Sequence, residues 1–181
     1  MRLLSRQLLP LVLACVQLAP AGAAEALSEY QVKAAFLYNF VKFVEWPATV
    51  AEQRGSIVMC VIGKDPFGDA LTNVVEGKKV NGRGIEIRKI TEVAAAASCH
   101  VLFISGSENA RLPEITKAVR VWSVLTVGEY PKFTQQGGIV NFLMDGHRVR
   151  FQINARAAVD AGLKISSKLM ELSVPDSKGK S

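Results

Sequence analysis

Apolar and polar positions along this chain follow two periods. From residue 31 to 46 the period is helical. At 100° per residue, Val32, Phe36, Leu37, Phe40, Val41, Phe43 and Val44 share one half of the wheel. Gln31, Asn39, Lys42 and Glu45 lie opposite, and Lys33 is the one polar residue on the apolar half. Ser28 is placed to cap the start, and Pro47 to stop the helix. Six of the chain's thirteen aromatic residues fall between Tyr30 and Pro47. A polar stripe and so early a stop are wrong for a membrane-spanning helix. The pattern predicts a first helix whose rings pack against a sheet. Tyr38 and Trp46 sit at the margins of the apolar arc, where one is available to a partner.

Beyond Pro47, short apolar runs alternate with short helical stretches. SIVMCVIG (56–63) and HVLFIS (100–105) read as buried parallel strands. GIEIRKI (84–90), after the turn NGRG, and SVLTVGE (123–129) read as two more. Between them lie a helix closed by Gly77, a short helix capped by Thr91, and a helix over 112–120 with Pro113 in its first turn. GGIVNFLMDGHRVRFQIN (137–154) predicts a β-hairpin turning at Asp145-Gly146. ARAAVDAGL follows, capped by Asn154 and ended by Gly162, and KISSKLMEL supplies a last helical piece. The expected fold class is α/β: three layers, a mostly parallel sheet with a C-terminal antiparallel hairpin, and helices on both faces.

The first residues stand apart. Arg2 and Arg6 precede an apolar run over 8–18, then Pro20 and the small-x-small triplet Ala21-Gly22-Ala23. This is the form of a secretory signal peptide, expected over 1–23, and it is too short for a permanent span. Leu13-Ala14-Cys15 leaves a lipoprotein reading open, with an anchor at Cys15, although Leu13 is not the usual residue there. The domain is expected over 24–174 and a disordered tail over 175–181. The mature protein is expected to be exported and soluble, or tethered by lipid alone.

Composition adds limits. The 181 residues suffice for one domain with its own core, with 49% hydrophobic and 21% charged residues. Removing the two leader arginines leaves 20 basic against 16 acidic residues, a net charge of +4 without a dense basic run. Nucleic acid is therefore not an expected partner. The histidines, His100 and His147, have no ligand spacing, so no metal or cofactor is expected. No nucleophile elbow, Walker loop or dinucleotide fingerprint is present. Nothing assembles a nucleophile, a base and an orienting group, and the chain reads as no enzyme. A strand-end crevice near 63–67 and 105–108 is the candidate small-molecule site.

Cys60 and Cys99 remain after the leader is lost. Their strands can be neighbours in a doubly wound sheet, and an oxidising compartment favours a bridge. Closing a loop of roughly forty residues is worth about 3–4 kcal/mol. Two buried free thiols are the alternative.

KAAFLYNFVKFVEWP (33–47), CVIGKDPFGDAL (60–71), GKKVNGRGIEIRKI (77–90), CHVLFIS (99–105), VLTVGE (124–129), FTQQGGIVNFLMDGHRVRFQIN (133–154) and AGLKISSKLMEL (161–172) together resemble the YfiR family. The match covers nearly all of the mature chain in order. The resemblance implies a periplasmic repressor that binds the periplasmic sensor domain of an inner-membrane diguanylate cyclase. An outer-membrane lipoprotein would sequester it, cyclic di-GMP would then rise, and biofilm would be favoured. It also implies redox sensing through cysteines, with Cys60 and Cys99 matching one pair of the family. The second pair is absent, since Thr134 and Asn141 stand at the corresponding positions. The partner surface is expected over 151–172, at Phe151, Ile165, Leu169 and Met170. The alternative is that these apolar residues dock the last helix. A homodimer is left open, and small-molecule binding at the strand-end crevice is the rival function.

Overall fold

The computed structural model describes residues 28–53 and 55–175. The leader over 1–23, Cys15 and the tail beyond Pro175 lie outside the described residues.

The first helix, α1 (Glu29–Phe43), begins where its cap predicts. Ser28 Oγ accepts from the Gln31 amide at 3.3 Å, and the Gln31 side chain accepts from the Ser28 amide at 2.6 Å. It ends earlier than Pro47 implies. Val44 is already extended, because β1 (Val44–Glu45) pairs antiparallel with residues 164–165. That pairing depends on residues more than a hundred positions away, and no local pattern announces it.

After α2 (Ala48–Gln53) come β2 (Ile57–Ile62), α3 (Ala70–Val75), β3 (Lys79–Val80) and β4 (Arg83–Ile90). A 3-10 run over Val93–Ser98 leads to β5 (Val101–Ile104). This segment was expected as a helix capped by Thr91. Instead Glu92 holds the cap position without a side-chain bond, and the segment closes into the tighter 3-10 turns. A second 3-10 run, Gly106–Arg111, precedes α4 (Leu112–Val119) and β6 (Leu125–Gly128). Then follow β7 (Val140–Asp145), β8 (Arg148–Ile153), α5 (Ala155–Asp160), β9 (Lys164–Ile165) and α6 (Ser167–Leu172). The hairpin forms as expected, but its two-residue turn is Gly146-His147, one position later than Asp145-Gly146: Asp145 still pairs with Arg148, and Gly146 takes φ +59° at the first turn position.

The seven-stranded sheet has the order β3-β4-β2-β5-β6-β7-β8. Every pairing from β4 to β7 is parallel, and β3 and β8 are antiparallel edges. Helical layers cover both faces, so the central strands are buried on both sides, which is why they read as unbroken apolar runs. Met59, Val61, Val101 and Phe103 face α1 and α3. Val58, Cys60, Ile62, Leu102 and Ile104 face α4 and the Val93–Ser98 turn. The rings of α1 serve the first of these cores: Phe40 lies 5.2 Å from Phe151 and 5.8 Å from Phe142.

Candidate functional site

Lys33 breaks the apolar arc of α1, and it lies in the middle of the buried face rather than at its margin. Its side chain is 4% exposed. A buried ammonium is costly unless paired. Glu29, one helical turn earlier, pairs with it, and Glu129 Oε2 lies 2.5 Å from its Nζ. Tyr30 Oη donates to the other Glu129 oxygen at 3.1 Å. Glu129 directly follows β6, so the cluster ties the first turn of α1 to the carboxyl end of the sheet. Burial pushes the Lys33 ammonium down, but hydrogen bonds and charge from Glu129 and Glu29 outweigh it and hold the group above its usual range. Burial, and then the Glu129 charge, push the Tyr30 phenol up.

These residues line a cavity of about 420 Å³, with Gly106, Asn109 and Tyr130 on the other wall. Tyr130 Oη donates to the carbonyls of Ile104 at 3.0 Å and Ser105 at 3.3 Å. Burial first, then Glu129 and Glu108, raise its pKa, so at neutral pH it is a fixed hydrogen-bond donor and not a proton carrier. The polar groups of the cavity largely satisfy one another. That is an arrangement for binding or for holding a helix, with no activated nucleophile. No group of three or more His, Cys, Asp or Glu able to hold a metal occurs among the described residues.

The crevice suggested by the sequence meets this cavity at Gly106 and is narrowed on its Gly63 side. At the ends of β2 and β5, Ser107 Oγ accepts from the Lys64 amide at 2.9 Å. A Cβ on Gly63, which sits at φ +85°, would lie 2.4 Å from that same oxygen. The 3-10 run Gly106–Arg111 folds back over the strand ends, and the open space moves to the end of β6 and the start of α1.

Cys60 and Cys99 are joined by a disulfide, with Cα atoms 6.0 Å apart. Cys60 lies within β2, and Cys99 lies two residues before β5. Both are at most 1% exposed, in the core on the α4 face. Thr134 and Asn141 are also buried. Asn141 Oδ1 has no hydrogen-bond partner among the described residues.

The four expected partner contacts divide. Phe151 is 2% exposed and Leu169 3%, and both fill the core facing α1. Ile165 and Met170 are half-buried at its margin, and Leu172 nearby is exposed. Tyr38 is half-buried beneath Lys78, 4.7 Å from its ring centre. Sequence reasoning missed Glu129 altogether. The available signal was an acid just past a strand end, together with a lysine misplaced on an apolar helix face.

Fold and site together define a three-layer α/β domain with a self-satisfied polar cluster at its strand ends, a binding module in form. A family model described as YfiR/HmsC-like (DUF4154) matches residues 30–174, and the chain belongs to that family. It is a family of periplasmic, non-enzymatic regulators in cyclic di-GMP signalling. No helix among the described residues is long and apolar enough to cross a membrane. No curated protein matches the chain. A conserved domain protein from Vibrio cholerae O1 biovar El Tor strain N16961 has a similar fold. The TM-score is 0.58 at 11% identity, over 82% of this chain and 60% of that one. An ABC domain in complex with L-Trp from Streptococcus pneumoniae aligns at a TM-score of 0.45 and 11% identity, over 70% of this chain and 58% of that one. This chain thus spans less than two thirds of either solved chain. The first likeness supports the α/β fold alone, and the second is too loose to argue from.

Proposed function

We propose that this protein is exported by a signal peptide over 1–23 and represses an inner-membrane diguanylate cyclase by binding its periplasmic sensor domain. An outer-membrane lipoprotein competes for it and releases the cyclase, so cyclic di-GMP and biofilm rise. The family match over residues 30–174 is the observation that carries this reading. Competition shifts the equilibrium only through a difference in affinity between the two partners. On this reading Ile165, Met170 and exposed Leu172 supply contacts at the C-terminal surface, while Phe151 and Leu169 hold that surface in shape from the core. The Cys60–Cys99 bridge keeps β2 and β5 together, and its reduction would loosen the sheet beneath the regulatory surface.

Deleting the gene in the native bacterium and measuring intracellular cyclic di-GMP tests this. The expected result is a rise, reversed by the exported wild-type protein. An unchanged level where the protein is demonstrably made would overturn it. The cavity beside Lys33 and Glu129 favours a second reading, binding of a small molecule. A metabolite that raises the melting temperature of the wild type, but not of Glu129→Gln, would support that reading.

A further inference from the structure

β8 is the last strand of the sheet, and its outer edge is only half covered. The Val174 amide donates to the Phe151 carbonyl at 2.9 Å, and Val174 bridges Gln152 in parallel. Gln152 Nε2 donates to the Pro175 carbonyl at 3.3 Å. This edge thus already accepts an added strand from its own chain. Upstream of Ser173 the chain is α6, so the pairing does not extend back along residues 148–150. On one strand the N–H and C=O of a residue point to the same side, and the side alternates with each residue. An outward Phe151 carbonyl therefore turns the Val149 N–H and C=O outward as well. Neither has a backbone partner on that side among the described residues.

The side chains alternate too. Val149 is half-buried and, with Val32, Phe36 and 46%-exposed Met144, lines a groove of about 730 Å³ on the α1 face. Arg148 and Arg150 are exposed; alternation starts their side chains from the other face of the strand, and both reach round to border the same groove, with Glu29 and His147. Arg148 has no ion pair among the described residues, and Arg150 approaches Asp145 only to 3.9 Å. An open edge is a template for another strand, and cross-strand neighbours select its sequence. Opposite Val149 the groove favours an apolar side chain, and opposite the two arginines acids are favoured.

We propose that residues 148–150 receive, by strand addition, an extended acidic–apolar–acidic segment of another protein. A second copy of this chain is the wrong occupant, because antiparallel pairing about Val149 would set Arg148 against Arg150. The proposal rests on the reading of this protein as a partner-binding regulator only for the origin of the segment.

The test is a titration of two blocked heptapeptides, centred on Glu-Val-Glu and on Lys-Val-Lys, into the ¹⁵N-labelled mature protein. The acidic peptide is expected to slow solvent exchange of the Val149 amide by about tenfold or more, with shifts confined to the β8 edge and its groove. The basic peptide is expected to do neither, and Arg148→Glu with Arg150→Glu to reverse the preference. Should that pair of changes disturb the fold, Arg148→Gln alone is expected to weaken the acidic peptide several-fold. Equal response to both peptides, no response to either, or shifts on another face would overturn the proposal. Self-association abolished by the charge reversal would also overturn it, by giving the edge to a second copy. The peptide result does not depend on the cyclic di-GMP experiment, so the two readings fail separately.

Discussion

On the α1 face of the sheet, Phe36 and Phe40 meet Phe142 and Phe151 in a cluster of four rings. On the α4 face the layer around Ile62, Leu102 and Ile115 is mainly aliphatic and is stapled by Cys60–Cys99. The aromatic face also carries the polar features: Lys33 with its two carboxylates, the cavity beside it, and the groove at the open edge of β8. On the stapled face the disulfide itself is closed to solvent. Large rings cover area with few degrees of freedom, so they hold a helix firmly while its first turn borders a polar site. The covalent bridge acts chiefly on the unfolded chain and leaves no surface to a partner. On the functions proposed above, binding falls to the face held by packing, and stability at least in part to the face held by a bond.

The largest expected break in this contrast is Phe40→Ala. It should cost about 3–5 kcal/mol in urea unfolding, since a fully buried ring is lost among other rings. A loss below about 1 kcal/mol would mean that the aromatic face collapses to refill the site. Next is removal of the bridge by Cys60→Ala with Cys99→Ala, expected to cost about 3–4 kcal/mol. Both sulfurs are buried, so reductant should act on the native protein only at the rate of local opening. Reduction as fast as that of an unfolded control would refute the closed character of that bridge.

Lys33→Met leaves two carboxylates facing each other without their cation. About 2–3 kcal/mol is expected, below the range for fully buried pairs because Glu29 is 40% exposed. The pH dependence sharpens this. Lys33 and Tyr30 both hold their protons more tightly folded than unfolded. Their contribution is complete below the unfolded values, near about pH 10, and is lost as pH rises through the folded ones. Unfolding free energy should therefore fall in the alkaline range for the wild type, and less steeply for Lys33→Met. The smallest effect is expected at Asn154→Ala, about 1 kcal/mol, from loss of the bond to the Ala157 amide at the start of α5.

Features with local causes were legible. Ser28 caps α1 through the next turn, Asn154 caps α5, and Gly146 opens the turn of the hairpin one position after the expected pair begins, each within a few residues. The buried central strands were legible because they are apolar throughout. The Cys60–Cys99 pair was legible because two strands of a doubly wound sheet can be neighbours even with another strand between them in the chain. Within the candidate site only the odd placement of Lys33 was visible. Its partner Glu129 lies 96 residues along the chain, and nothing near either residue points to the other.

The order of α/β elements, the class of fold and the residues able to form a disulfide were determined by the sequence alone, because periodicity, caps and turns act over a few residues. Only the tertiary structure decided that α1 stops at Phe43, that Ser107 closes against Gly63, that Leu169 is core while Met170 reaches the surface, and that half of the β8 edge stays open. Each of these is set by contacts between segments far apart in the chain. Their energies depend on which surfaces meet, and that is known only once the chain has folded.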